Sequence, residues 1–177
     1  MGAPDRPGVL MAAKVLAPVV PLLCGFLAVL LSNVPISLVS GLVPAPLLAL
    51  VPLYFWCLVR PDLMTPAAAF AIGILQDILA GSPPGVWTLS FVLTYALVDR
   101  QREGFAGLSG LGAVLGFAAA ALVACTVAYL VMALLYHAPP LGPMLGELAV
   151  TVLFFIPGAF VVGAIHHRLV GAQRHDF

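Results

Sequence analysis

Charge is what this sequence has least of. Seven basic and seven acidic residues make up 8% of its 177 positions, against 63% hydrophobic residues, and the mean hydropathy is +1.16. A soluble domain of that composition would lack the polar surface needed to cover its core. The formal net charge is zero, so no basic face argues for a nucleic-acid partner. Cysteine is also scarce: Cys24, Cys57 and Cys125 lie far apart in apolar runs, form no metal-ligand spacing and read as packed thiols. Catalytic signatures are missing as well. There is no His-Glu-x-x-His, no Gly-x-Ser-x-Gly, no Walker loop and no pair of carboxylates placed for acid–base work. The sequence therefore predicts no catalytic residue, no cofactor and no metal site.

What is present is apolar length. A helix needs ~20 apolar residues to cross a bilayer, and runs of about that length recur along the whole chain. The fold class expected is an all-α integral membrane protein, a single bundle of six transmembrane helices. Its spans cover residues 15–31, 44–59, 65–80, 86–98, 108–136 and 148–169, between a lead (1–14) and a tail (170–177). Breakers separate them: the turn-rich stretch from Ser32 to Gly41, Arg60-Pro61-Asp62, the Gly81–Gly85 corner, Asp99 to Glu103, and His137-Ala138-Pro139-Pro140. Arg6 and Lys14 ahead of an apolar run also suit a signal peptide. However, Ser32-Asn33-Val34-Pro35 is a poor cleavage site, and Leu22-Leu23-Cys24 only faintly matches a lipoprotein box.

The basic residues test this layout independently. Arg6 and Lys14 precede the first span, Arg60 lies between the second and third, Arg100 and Arg102 between the fourth and fifth, and Arg168 and Arg174 close the last. The other three connections contain no Lys or Arg. All basic residues thus share one side, and the positive-inside rule places both termini in the cytoplasm. Five or seven spans would break the alternation.

Small residues mark close helix contacts. Gly112, Gly116, Ala120, Ala124 and Ala128 recur at every fourth position of the fifth span, which lets helix backbones approach. Packing within the chain is the first reading, and a homodimer or partner interface is the alternative. Thr65, Ala69, Gly73, Asp77 and Gly81 repeat the device on the third span. Each i, i+4 step turns only ~40°, so Ala69, Gly73 and Asp77 share one face.

Asp77 is the candidate that composition makes conspicuous. Counting from Thr65, it lies ~18 Å along the helix, roughly a third of the way into a ~30 Å hydrocarbon core from the outer face. A charge at that depth costs ~2.5–3.5 kcal/mol on insertion scales, and a carboxylate near a helix C-terminus also opposes the dipole. A donor partner or protonation is therefore expected. Gln76 projects ~100° away, toward a different neighbour. Weaker signals are Trp87, Ser90 and Thr94 on one face of the fourth span, with Trp87 as an interfacial anchor. Glu147 reads as a first-turn helix cap, and His166 and His167 as interfacial residues.

The segment Gly73-Ile74-Leu75-Gln76-Asp77-Ile78-Leu79-Ala80-Gly81-Ser82-Pro83-Pro84-Gly85, closing the third of six short spans, resembles the MreD family of bacterial rod-shape proteins. That family carries a Leu-Gln-Asp, small residue, Gly, Pro, Gly segment at this place, and Pro84 stands where a leucine is common. Gln76, Asp77, Gly81, Pro83 and Gly85 match the segment, with Ser82 inside it. The resemblance implies a non-enzymatic inner-membrane scaffold of the cell-elongation machinery. Its implied partners are MreC, the MreB filament, and RodA with its partner transpeptidase. It also implies a helical arrangement similar to the substrate-binding subunits of energy-coupling-factor transporters. The competing reading is a small-molecule carrier subunit, with Gln76, Asp77, Trp87 and Thr88 lining an outward-facing pocket.

Overall fold

Proline and glycine decide where the helices start and stop. In the computed structural model, which describes residues 19–34, 45–106 and 111–170, the elements are α1 (Val19–Ser32), α2 (Leu50–Val59), α3 (Pro66–Ala80), α4 (Val86–Arg100), the short α5 (Arg102–Ala106), α6 (Leu111–Leu135) and α7 (Leu141–Ile165). A π-helical turn, His166–Val170, extends α7. Among the described residues there is no strand. The expected lead, the start of the first and fifth spans, the heart of the 32–41 connection and the tail after 170 lie outside the described residues.

α3 shows how local chemistry sets an element. Thr65 is its extended N-cap, accepting the Ala68 N–H at 3.2 Å, and Pro66 occupies the first helical position, where its missing N–H costs nothing. Its C-terminus closes in a Schellman arrangement: Gly81 is left-handed (φ 63°), its N–H meets the Ile78 carbonyl, and the Ser82 N–H meets the Asp77 carbonyl at 3.1 Å.

Two expected boundaries shift. The second helix begins at Leu50 and not at 44. Pro46 disfavours helical geometry in the residue before it, and residues 47–51 enter through tight turns. The last helix begins at Leu141, well before 148, directly after the extended Pro140. Glu147 is thus its seventh residue. The expectation of a first-turn cap was wrong, because Pro139-Pro140 rather than Gly146 starts the helix.

Leu111–Leu135 and Leu141–Arg168 are each long and apolar enough to cross a membrane, while Val19–Ser32, Leu50–Val59 and Pro66–Ala80 are shorter apolar helices. α4 is the central element, packed against α2, α3 and α6. Ser90 of α4 is fully buried and donates to the Ala124 carbonyl at 2.6 Å, which places the small-residue ridge of α6 against α4. Gly116, Ala120, Ala124 and Ala128 are all buried, whereas Gly112 is half-buried. Those four buried residues are thus packed within the described bundle. Ile72 of α3 fills the space over Gly25 of α1. Tyr54 of α2 meets Phe117 and Phe155 edge-on (centroids 5.5 and 5.9 Å), and those two rings stack at 4.3 Å, joining α2, α6 and α7. Thr151 accepts the Leu47 N–H at 2.9 Å and ties α7 to the entry of α2.

Candidate functional site

The C-terminal end of α3 and the N-terminal end of α4 meet at one carboxylate. Asp77 lies in the last turn of α3 and is only 4% exposed. Its Oδ1 accepts the Trp87 N–H at 2.8 Å and the Ser82 hydroxyl at 2.9 Å. Its Oδ2 accepts the Gly85 N–H at 2.9 Å, the Thr88 N–H at 3.1 Å and the Thr88 hydroxyl at 2.7 Å. Five donors on two oxygens occupy all of the roughly four lone-pair sites of a carboxylate, two donors sharing one.

The local logic follows from Gly85. It is the N-cap of α4, sits at φ 98° and has no side chain to satisfy the first N–H groups of that helix. Asp77 supplies the missing cap from the preceding helix. Relative to Gly85, Trp87 and Thr88 are the second and third helical positions, the two that an N-cap side chain normally serves. The carboxylate that opposes the dipole of α3 is thereby set on the positive end of α4, where it is favoured. The donor partner expected for Asp77 is the backbone of the next helix.

The corner between the helices is shaped for this contact. Gly81 and Gly85 hold positive φ, where any other residue is strained although space is open around both. At Gly73 the constraint is space: a Cβ there would come within 2.5 Å of the Thr88 Cα. One turn below Asp77, α3 thus presses backbone against backbone on α4. The face shared by Ala69, Gly73 and Asp77 is the crossing itself, with Ala69 fully buried.

The other sequence candidates divide. Gln76 is 4% exposed, yet its Oε1 meets no donor among the described residues, so the expected neighbour is not found on that atom. Trp87 is buried at 8% exposure and is no lipid-facing anchor. Thr94 is fully buried with its Oγ1 unpartnered among the described residues. His166 lies edge-on to Trp56 and Phe55. Among the described residues no cluster of three metal-binding side chains occurs, and the three cysteines are unpaired thiols. On the opposite side of α3, the turn after α2 carries a bidentate ion pair, Arg60 to Asp62 at 2.8 and 3.0 Å. This pairing holds the Asp62 carboxyl below its ordinary range and raises Arg60. Two links escaped sequence reasoning: the Thr151–Leu47 tie, and the use of Thr88 as a partner of Asp77. A helix start with glycine at the cap position was the available sign of the second.

Among the described residues the chain is an all-helical protein with two helices long and apolar enough to cross a membrane. The particular kind follows from comparison with known families: the model of the rod shape-determining protein MreD matches residues 13–156, most of the chain, and the chain belongs to that family. Membership gives it a role in rod shape determination and an association with the membrane. No curated protein and no solved structure matches it.

Proposed function

We propose that this chain is a non-enzymatic scaffold of the cell-elongation machinery, a six-span protein of the bacterial inner membrane with both termini in the cytoplasm. In this role it docks MreC and the peptidoglycan synthesis complex of RodA and its transpeptidase, near the MreB filament. One observation carries the choice of scaffold over carrier. Two of the polar groups that would have lined a carrier's pocket, the Asp77 carboxylate and the Thr88 hydroxyl, are engaged with each other and with the start of α4. A group held by five donors has little capacity left for a ligand or for proton transfer, and it rigidifies the hairpin instead. The segment from Gln76 to Gly85 is then a structural motif: it sets the angle and depth of α3 and α4, whose outer faces meet partners or lipid.

The test is site-specific photocrosslinking in living cells from exposed positions of α3 (Phe70, Ile74, Ile78) and from α6 (Leu115, Leu122). Crosslinks to elongation proteins, lost together with rod shape in a strain whose only copy carries Asp77→Asn, support the scaffold. High-affinity binding of a vitamin-like solute by the purified chain, with no such crosslinks, would establish the carrier.

A further inference from the structure

Glu147 is the acid that the fold leaves unserved. It lies six residues, or ~9 Å, inside the start of α7, and Asp77 shows by contrast how the chain treats an acid it intends to satisfy. Glu147 is half-buried, yet among the described residues no group donates to its carboxylate, and the one ion pair is Arg60 with Asp62. It lies ~40° around the helix from Thr151, which is 1% exposed and pinned to Leu47, so it stands on the flank of the inward face. Sequence topology sharpens the point. Every Lys and Arg belongs to the other side of the layout, so this chain has no lysine or arginine at that end to neutralise Glu147.

The surroundings describe what is wanted. None of residues 129–135 or 141–150 is buried, although Ala128 and Thr151 on the neighbouring turns are. The ends of α6 and α7 beside the 136–140 turn are therefore only partly packed: Val131, Met132, Met144 and Leu148 touch the core, while Leu134, Leu135, Leu141 and Leu145 are between 58% and 80% exposed. An apolar, two-helix surface with one unpaired carboxylate at its edge complements an apolar helix carrying one cation. We propose that Glu147 anchors an arginine or lysine, near the outer end of a partner's transmembrane helix, seated against the outer thirds of α6 and α7. The inference rests on the scaffold reading and names the chemistry of one partner.

The test uses the purified full chain in phosphatidylcholine vesicles with a labelled polyleucine transmembrane peptide bearing one Arg ~9 Å below its outer end. The same peptide with Gln is the control, and association is read by energy transfer. The expected result is roughly tenfold or stronger preference for the Arg peptide, lost in Glu147→Gln and largely kept in Glu147→Asp. Equal binding of the two peptides, or a preference that survives Glu147→Gln, overturns the proposal. A preference that disappears when phosphatidylethanolamine is added also overturns it, because a lipid amine then holds the carboxylate. The two readings fail separately. Cellular crosslinks to elongation proteins without the peptide preference leave the scaffold standing and remove the Glu147 anchor, and the reverse pattern removes the scaffold.

Discussion

Replacing Asp77 with Asn exchanges one acceptor oxygen for an NH2 group at a site that presents donors on every side. With the NH2 in the Oδ2 position, it faces the Gly85 and Thr88 N–H groups, neither of which can accept. With the NH2 at Oδ1, the Ser82 hydroxyl can turn to accept, but the buried Trp87 N–H is orphaned and opposed. The second orientation is the less costly one. An orphaned buried donor costs ~1–3 kcal/mol, and the remaining bonds lose the extra strength they draw from a charged acceptor. The sum is about 3–5 kcal/mol, several times the ~1 kcal/mol typical of an ordinary N-cap. Reversible unfolding of the purified chain in mixed micelles, followed by far-ultraviolet circular dichroism, would measure it. Thr88→Val, which removes one of the five donors and keeps shape, should cost about 1–2 kcal/mol. The two changes should also be non-additive, because the Thr88 hydroxyl has little to bond to once Asp77 is gone. A loss below about 1 kcal/mol for Asp77→Asn, or strict additivity with Thr88→Val, would refute the capping account.

Other outcomes follow from the same geometry. Gly73→Ala should destabilise more than Gly81→Ala in the same unfolding assay. The first drives a Cβ into the Thr88 backbone, whereas the second costs only the ~1–2 kcal/mol of a left-handed residue in open space. Ser90→Ala should cost about 1 kcal/mol by removing the bond to the Ala124 carbonyl, and Ala124→Leu should cost more by forcing α4 and α6 apart; thermal unfolding ranks the two. The Arg60–Asp62 pair has a pH signature. Asp62 titrates below its ordinary 3.8 in the folded chain, so its contribution is present above that value and is lost as pH falls through the lowered one. Asp62 is 58% exposed, so the effect is held to about 0.2–1 kcal/mol; the acid limb of stability against pH should flatten by that amount in Asp62→Asn.

Particular residues show how far sequence reading reaches. The pairing of Asp77 with a donor was legible because an acid in an apolar run must be satisfied, and the Ala69–Gly73–Asp77 ridge was legible because helical spacing is one-dimensional information. The boundaries of α3 were legible too, with Thr65, Pro66 and Gly81 each acting within a turn of its own position. The start of α7 was misread for a related reason. Hydropathy dips at Gly146-Glu147, but helix initiation answers to the backbone geometry of Pro140, and a single acid does not stop a helix that packing holds. Trp87 reads from sequence as an interfacial anchor because tryptophan favours membrane–water interfaces. Its burial follows from the close crossing at Gly73, which no composition rule contains.

By itself the sequence pointed to an apolar helical chain with little charge and to the MreD family, whose model matches residues 13–156. Those properties are sums over residues or patterns along one helix, so they survive without coordinates. Only the tertiary structure decided who answers whom. Asp77 is a cap because α4 begins within reach of it with a side-chain-free glycine. The α6 ridge packs inward because Ser90 finds the Ala124 carbonyl, and among the described residues no neighbour donates to Glu147. Hydrogen bonds and close contacts depend on separations of about 3 Å between groups far apart in sequence, and folding alone sets those distances.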